Sequence, residues 1–330
     1  MSSDKEPSNT PGSPSGQPPL NQGEEGSNAA PKSFDEAFRE GLERARNRER
    51  LIVDGEKISP CHVPRELVHR EEVLERVYGT ITSGREGEVG DRILITGPVG
   101  AGKTSVAINL SRSIEKEENC PTCSHVDCRI WRTPHQILNK LASDLGQGPP
   151  DHDGGQRQAL RRLEDRLEAG NSTLIAVLDH LGHHVRKRGL AVIRLIDRAE
   201  RAAGPSGRIG VVGTAQSARL LARMRAESRE RFGRNLVRLE GYGHDQMVDI
   251  LERRAEKAYK PGAVGGEAID LISKIAAGDA RHAVALLRES GRQAEHRESS
   301  EVLPSHVEEA EKGLTPMCDG EVYFASIYLP

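Results

Sequence analysis

Aromatic residues, cysteines and long apolar runs are all scarce in this sequence of 330 residues. Aromatic side chains make up only 3% of it, which argues against the base-stacking platforms of single-strand binders and leaves the core to aliphatic residues. The five cysteines are widely scattered, polar residues follow Met1, and no uncharged run approaches the roughly 18 apolar residues of a membrane span. We therefore expect a reduced, cytoplasmic protein without a disulfide framework, a secretory signal or a membrane partner.

An excess of charge of one sign is also lacking, because 47 basic residues face 50 acidic ones and the net charge is −3. The whole molecule has no field that would attract nucleic acid, so any such contact must come from a local patch. The one sustained basic stretch, residues 219–238, holds seven arginines and two glutamates. It is compatible with a solvated helix face, with DNA-phosphate contacts, or with a surface facing a neighbouring subunit, for which Arg229 is the candidate residue.

The chain is longer than a typical single domain, and its composition divides it into five segments. Residues 1–32 are rich in Ser, Pro and Gly and predict a disordered tail. Residues 33–62 begin with apolar side chains at helical spacing and predict an N-terminal helical lead-in. We assign residues 63–240 to an α/β base domain, 241–312 to a helical lid and 313–330 to the start of a further domain.

Short apolar runs alternate with amphipathic stretches in the base segment. The runs are residues 92–96, 125–129, 173–178, 209–213 and 236–239. Strands of this length separated by helical periods indicate an α/β fold, in which helices cover both faces of a parallel sheet. Beyond Glu240 the pattern is helical alone, which predicts a smaller helical domain without strands. Its helical periods are residues 244–259, 266–277 and 279–292.

The sequence GPVGAGKT at residues 97–104, the glycine loop, matches the phosphate-binding pattern G-x-x-x-x-G-K-[ST] in full and lies between a predicted strand and a predicted helix. Glycines let backbone N–H groups turn inward around phosphates, Lys103 reaches the terminal phosphates, and Thr104 is placed to ligate Mg²⁺. We predict a site for ATP or ADP rather than a chance glycine turn. Its predicted nucleotide-binding residues are Gly97, Pro98, Val99, Gly100, Ala101, Gly102, Lys103, Thr104 and Ser105.

Asp179 ends the apolar run TLIAVLD and is predicted to complete the Mg²⁺ shell together with Thr104. An aspartate after a strand is more often a helix cap, but the complete phosphate motif upstream favours the metal role. The next residue, His180, stands where many ATPases of this architecture have a glutamate that orients and deprotonates the attacking water. A neutral imidazole lacks the charge of a carboxylate, so weak ATP hydrolysis is predicted.

Four passages of the chain resemble the archaeal origin-recognition and cell-division-control type replication initiators, a family of AAA+ ATPases. They are VPRELVHREEVL at residues 63–74, GPVGAGKT, VVGTAQ at residues 211–216 and GDARHAVALLR at residues 278–288. The last passage is the most specific to the family. The resemblance covers residues 64–310 and implies a P-loop AAA+ base domain closed by a helical lid.

The resemblance also implies roles for two residues that spacing alone does not identify. Arg281 would be the second-sensor arginine that touches the γ-phosphate, and Gln216 stands where the family usually has a first-sensor asparagine. Lys103, Asp179, His180, Gln216 and Arg281 thus form the predicted catalytic set. The implied function is a nucleotide-switched replication initiator with slow ATPase activity, and its implied partners are origin DNA, other replication proteins or further copies of itself.

Two departures from the family keep other functions open. His180 replaces the usual glutamate, and residues 313–330 resemble at most the first helix of the family's winged-helix DNA-binding domain, so we expect most of that domain to be missing. One alternative is a regulator that binds nucleotide without hydrolysing it and acts through protein contacts. Another is a plasmid or mobile-element ATPase with the same phosphate motif, which the GDAR passage argues against.

Two further sets of side chains have the composition of a metal site. The three cysteines of residues 120–128 include a C-x-x-C pair, but no second spaced pair completes four ligands, so a loop leading into a strand is favoured over zinc. His180, His183 and His184 have the spacing of one helical face, and a simple helix start is favoured over a second metal site.

Overall fold

The computed structural model describes residues 33–47, 50–82, 92–117, 120–146, 155–170, 173–182, 191–204, 207–316 and 323–325. Its main sheet has five parallel strands in the order β2-β3-β4-β1-β5. The strands are β1 (Arg92–Thr96), β2 (Thr122–Asp127), β3 (Thr173–Asp179), β4 (Arg208–Ala215) and β5 (Leu236–Arg238). The α/β fold predicted from the alternating pattern is confirmed.

The helices of the described residues fall into three groups. The first group precedes the sheet and comprises α1 (Phe34–Asn47) and α2 (Glu71–Thr82). The second group alternates with the strands and comprises α3 (Lys103–Ile114), α4 (Pro134–Gly146), α5 (Gln156–Gly170), α6 (Ala191–Ala203), a 3₁₀ helix (Ala218–Arg223) and α7 (Ala226–Arg234). The third group forms the lid and comprises α8 (His244–Ala258), α9 (Gly266–Ala276), α10 (Ala280–His296) and α11 (Pro304–Gly313).

The sheet is covered on both faces, as its nearly continuous apolar strands require. All five residues of β1 are buried, and Val106, Leu110 and Ile114 of α3 pack on one face of the sheet. The helices α4, α5 and α6 contribute to a second apolar cluster with other strand residues. All five strands run in the same direction, so their carboxyl ends meet at one edge, where open α/β sheets bind ligands.

The lid has its own apolar core, and the segment before α2 is part of it. Leu51 and Ile58 are buried among lid side chains. The N–H groups of Leu51 and Ile52 donate to Glu295 Oε1 at 2.8 and 2.9 Å, and Lys260 N–H donates to the Leu51 carbonyl at 3.0 Å. Residues 50–62 are therefore held against the lid as turns.

The predicted helical lead-in, residues 33–62, is helical only over α1. This helix belongs to a separate unit, residues 1–48, and is described by itself. Ser33 and Glu36 cap it reciprocally, with backbone-to-side-chain distances of 3.1 and 3.3 Å. The helical prediction fails for residues 50–62 because their apolar side chains and backbone groups have partners in the lid.

The expectation that no strand follows Glu240 is wrong. Leu314–Pro316 (β6) and Tyr323–Ala325 (β7) pair as an antiparallel ladder where the start of a helix was expected. The chain leaves helix α11 at Gly313, and Pro316 lacks an amide hydrogen and disfavours helical geometry at the residue before it. Among the described residues, no helix has the length and apolarity needed to cross a membrane.

Candidate functional site

The glycine loop joins β1 to α3 in a conformation that only glycine adopts easily. Gly97 and Gly100 have φ values of 156° and 72°. A side chain at Gly97 would overlap the Leu239 carbonyl, and one at Gly100 would overlap the Asp279 carboxylate. The N-cap residue of α3 is Gly102, which has no side chain to cap the helix, so the first N–H groups and the positive dipole end are available to an anion.

Two cations lie close together at this loop, Lys103 of the loop itself and Arg281 of the lid. Lys103 Nζ donates to the carbonyl oxygens of Gly97, at 2.8 Å, and of Pro98. Burial and the positive charge of Arg281 lower the pKa of Lys103 to about 8, against the weaker influence of Asp179 and Asp279. Two cations held together in a partly buried site are stabilised when an anion such as phosphate lies between them.

Arg281 reaches the site because the first turn of α10 is fastened to the glycine loop. Asp279 caps this helix by accepting hydrogen bonds from the N–H groups of Arg281 and His282, at 2.9 and 3.0 Å. The Ala280 N–H donates to the Gly100 carbonyl at 3.3 Å. The start of the lid helix therefore lies directly over the loop.

Asp179, at the carboxyl end of β3, is buried and ionised. Burial raises its pKa, but hydrogen bonds from His180, Thr214 and Thr104 outweigh that cost and lower the pKa to about 2. Its Oδ1 accepts hydrogen bonds from Thr214 Oγ1 and from the His180 N–H at 3.0 Å. Its buried Oδ2 has no hydrogen bond of good geometry from any residue that the structure describes. A carboxylate oxygen with spare capacity beside the Thr104 hydroxyl fits the hard-oxygen donor set that Mg²⁺ prefers.

His180 follows Asp179 with a left-handed backbone, φ 56°. Its N–H also donates to Thr214 Oγ1 at 2.9 Å, which fixes the turn after β3. Its ring atom Nδ1 lies 3.2 Å from Asp179 Oδ2 and 3.6 Å from Asp127 Oδ1. The imidazole thus stands beside two carboxylates.

A single cavity of about 350 Å³ brings the predicted catalytic residues together. It is lined at this end by Lys103, Thr104, Asp179, His180, Gln216 and Arg281. Gln216 is the first residue after β4 and is exposed. Residues from two strand ends, the glycine loop and the lid therefore line one cavity.

Sequence reasoning missed three residues of this cavity, His125, Asp127 and Arg129. They lie at and just beyond the end of β2, which spans Thr122–Asp127 rather than the predicted 125–129. The strand ends there because the chain turns, and the Asp127 carbonyl accepts hydrogen bonds from the N–H groups of Ile130 and Trp131 at 3.0 and 2.9 Å. Burial lowers the pKa of His125 and opposes ionisation of Asp127, whose pKa is nevertheless lowered by hydrogen bonds from Arg129. The available signal was the parallel sheet itself, whose neighbouring strands end at one edge.

Arg70 is a further residue that the sequence did not identify. Its guanidinium lies over the Tyr242 ring, 4.0 Å from the centroid, and donates to the carbonyls of Ala101, at 3.2 Å, and Glu240, at 2.8 Å. It therefore ties the glycine loop to the passage into the lid. The cavity lining also includes the apolar residues Val63, Pro64, Val68, Ile250 and Val284.

The basic stretch of residues 219–238 is only partly available to a ligand. Arg231, one of the arginines of this stretch, lies 2.9 Å from Glu200 and 3.8 Å from Asp197, because both carboxylates are partly buried and need a cation. Arg234 is exposed but pairs with Glu230. The other exposed arginines of the stretch are Arg219, Arg223, Arg225, Arg229 and Arg238.

The two alternative metal sites gain no support. The described residues contain no group of three or more His, Cys, Asp or Glu side chains arranged to hold a metal ion. Burial raises the pKa of the Cys123 thiol to about 11, so this side chain is not a ready thiolate ligand. His183 and His184 lie outside the described residues.

Comparisons with family models match two parts of the chain. Residues 90–221 match an AAA domain, and residues 248–312 match a Cdc6 AAA+ ATPase-type lid domain. The first match contains the glycine loop, Asp179 and Gln216, and the second contains Arg281.

Curated and solved proteins give the same picture. The chain is 29% identical over 268 residues to an ORC1-type DNA replication protein 1 of Sulfurisphaera tokodaii, and 26% identical over 269 residues to one of Methanosarcina acetivorans. These alignments cover 80% and 79% of this chain but 67% and 64% of the relatives, so the chain spans about two thirds of their length. The fold is similar to that of the Aeropyrum pernix ORC1 protein in complex with DNA, with a TM-score of 0.68 and 28% identity over 80% of this chain and 70% of the other.

Proposed function

Because the chain belongs to the ORC1/Cdc6 type of replication-initiator AAA+ ATPases, we propose that it binds ATP in the cavity between a base domain, residues 63–240, and a lid, residues 241–312. The observation that carries this proposal is that Lys103 of the glycine loop and Arg281 of the lid face the same cavity. The nucleotide would decide how the lid sits on the base, and hence whether the protein engages origin DNA or other replication proteins.

Different residues of the cavity lining suit different parts of the nucleotide. Loop N–H groups and Lys103 hold the β- and γ-phosphates, and Arg281 contacts the γ-phosphate from the lid. The apolar side chains of the lining, among them Val63 and Ile250, would accept the base. ADP lacks the γ-phosphate that Arg281 would contact and so favours a different lid position.

Thr104 and Asp179 are the residues that would hold Mg²⁺. Such an ion would supply positive charge that offsets the charge of the nucleotide phosphates. Thr214 and His180 favour the ionised form of Asp179 by donating hydrogen bonds to its carboxylate.

Hydrolysis by this site is proposed to be slow. Water must attack the γ-phosphorus while the bond to the bridging oxygen breaks and its electron pair leaves with ADP. Gln216 and His180 are the groups placed to orient that water. Neither carries the carboxylate charge that normally performs this task, and the imidazole reaches a different position than a glutamate would.

Replacing His180 by glutamate should therefore raise the hydrolysis rate. We expect an increase of about tenfold, below the 10²–10⁴ of a well-placed general base, because Asp127 and Asp179 will repel the new charge. Phosphate release at saturating ATP measures the effect. Thr80→Ser, a change outside the site, is the control and should leave the rate as it is; an equal rate in the His180→Glu protein would show that another feature limits turnover.

A regulator that binds nucleotide without hydrolysing it remains the second candidate, favoured by the same His180. The two functions differ in one measurement, multiple-turnover phosphate release by the natural protein. Release that ends after less than one phosphate per protein would favour the regulator. The similarity of the lid to the Cdc6 type argues against a mobile-element ATPase.

DNA binding is proposed to rest on phosphate contacts from the exposed arginines of residues 219–238. We expect it to be weak and strongly dependent on salt. Arg225→Ala with Arg229→Ala should reduce the slope of log affinity against log salt by about two units, since each lost phosphate contact removes about 0.9. Fluorescence anisotropy of a labelled duplex across a salt series measures the slope.

The matched control for DNA binding is Arg157→Ala with Arg161→Ala, which removes the same charge from exposed positions of α5. It should leave the slope within half a unit of the natural value, roughly half of one contact. If both pairs reduce the slope equally, the effect is one of net charge and the basic stretch is a solvated face.

A further inference from the structure

Asp127 lies on the strand next to Asp179, at the same level of the sheet. The two residues are register partners in the parallel ladder between β2 and β3. Parallel strands place such partners side by side, so both carboxylates stand at the carboxyl edge of the sheet and line the cavity. The ring of His180 is close to both, with Nδ1 3.6 Å from Asp127 Oδ1.

Arg129 fixes the carboxylate of Asp127 in this position. Its N–H and Nε donate to Oδ1 at 2.8 and 3.1 Å, and its terminal nitrogen donates to Oδ2 at 2.7 Å. A fork of this kind orients a carboxylate as well as stabilising its charge. The side chain of Asp127 is also largely shielded from solvent, with 16% exposed, so water screens its charge little, although the Arg129 guanidinium offsets part of that charge.

The position of the carboxylates determines what the imidazole can do. Nδ1 lies 3.2 Å from Asp179 Oδ2 and 3.6 Å from Asp127 Oδ1, without a hydrogen bond of good geometry to any residue that the structure describes. Two neighbouring carboxylates favour the tautomer with the hydrogen on Nδ1, which would leave Nε2 as the hydrogen-bond acceptor. We propose that Asp127 is a positioning residue which, acting through His180, supplies the carboxylate charge that residue 180 itself lacks. The pair would orient the attacking water in place of a single glutamate, and this inference rests on the proposed ATPase function.

Five proteins test the inference: the natural chain, Asp127→Asn, Asp127→Glu, His180→Glu and the double variant Asp127→Asn with His180→Glu. Phosphate release gives kcat and KM, and calorimetry with ATP and Mg²⁺ gives the affinity. Asp127→Asn should lower kcat about tenfold with ATP affinity changed less than about twofold, because its place is beside the water rather than the phosphates. In the His180→Glu protein, Asp127→Asn should not lower kcat, because the introduced glutamate carries its own charge.

A loss of kcat that is equally large in both backgrounds would indicate a merely structural role and overturn the inference. So would a natural rate in Asp127→Asn. Asp127→Glu keeps the charge and should retain more activity than Asp127→Asn, which separates loss of charge from damage to the fold; equal losses would overturn the inference as well. Failure of the natural chain to bind ATP would contradict the proposed function itself, which the calorimetry detects independently of Asp127.

Discussion

Lys103→Ala should weaken ATP binding by about a hundredfold and leave the fold intact. The lysine nitrogen contacts the carbonyls of Gly97 and Pro98, so its removal costs the folded protein little. In the complex it would contact phosphate, where hydrogen bonds between charged groups are worth about 1.5–3 kcal/mol, and about 2.8 kcal/mol corresponds to a hundredfold change in affinity. Titration calorimetry measures the affinity, and thermal melting verifies the fold.

Lys257→Ala is the matched control for this prediction. Lys257 lines the rim of the same cavity and is half exposed, and its partner Glu66 is 3.9 Å away. Its loss removes the same charge without touching the glycine loop and should change ATP affinity less than about threefold, as exposed pairs contribute little. Equal ATP affinity in the Lys103→Ala and natural proteins would refute a phosphate-binding role for the loop.

Arg92→Ala should have the largest effect on stability. The Arg92 side chain is fully buried between Asp197, at 2.9 Å, and Glu200, at 2.8 Å, and also donates to the Ile209 carbonyl. Its removal leaves two partly buried carboxylates with Arg231 as their one remaining cation among the residues that the structure describes. Breaking a buried ion pair in this way costs about 3–5 kcal/mol. Thermal melting should show a decrease of about 10 °C for a domain of this size.

Arg231→Ala removes the other cation of this network and serves as the comparison. The Arg231 side chain is 31% exposed, so water can solvate the carboxylates in place of the lost guanidinium. The decrease in melting temperature should therefore be smaller than for Arg92→Ala. If Arg92→Ala melted within about 2 °C of the natural protein, the buried pair would contribute less than about 1 kcal/mol, contrary to this account.

The phosphate end of the site could be predicted because its chemistry is encoded in contiguous sequence. The glycine loop places strand, turn and helix N-terminus within a few residues, and Asp179 is marked by the apolar strand before it. Asp127 could not be predicted from its own surroundings, because its significance depends on β2 lying next to β3. Strand order is set by packing of the whole domain rather than by local sequence.

Charge patterns along the chain were misleading where the partner lies far away in sequence. Arg231 was counted with the basic stretch, but its charge is used by Glu200 on another helix. In the sequence, Arg92 is the polar first residue of an apolar strand. In the structure it is buried, because Asp197 and Glu200 form ion pairs with it. Local spacing cannot reveal such pairs, which form only when helices pack on the sheet.

Comparison of ATP and ADP affinities in the natural protein and in Arg281→Ala tests the central claim most directly, namely that the lid contacts the γ-phosphate of a nucleotide held by the base. Titration calorimetry of the natural protein should show tighter binding of ATP than of ADP by at least about tenfold, the value of one hydrogen bond between charged groups. The Arg281→Ala protein should bind ADP with the natural affinity and lose the preference for ATP. An undiminished preference in the variant, or a natural protein that binds neither nucleotide, would contradict the account.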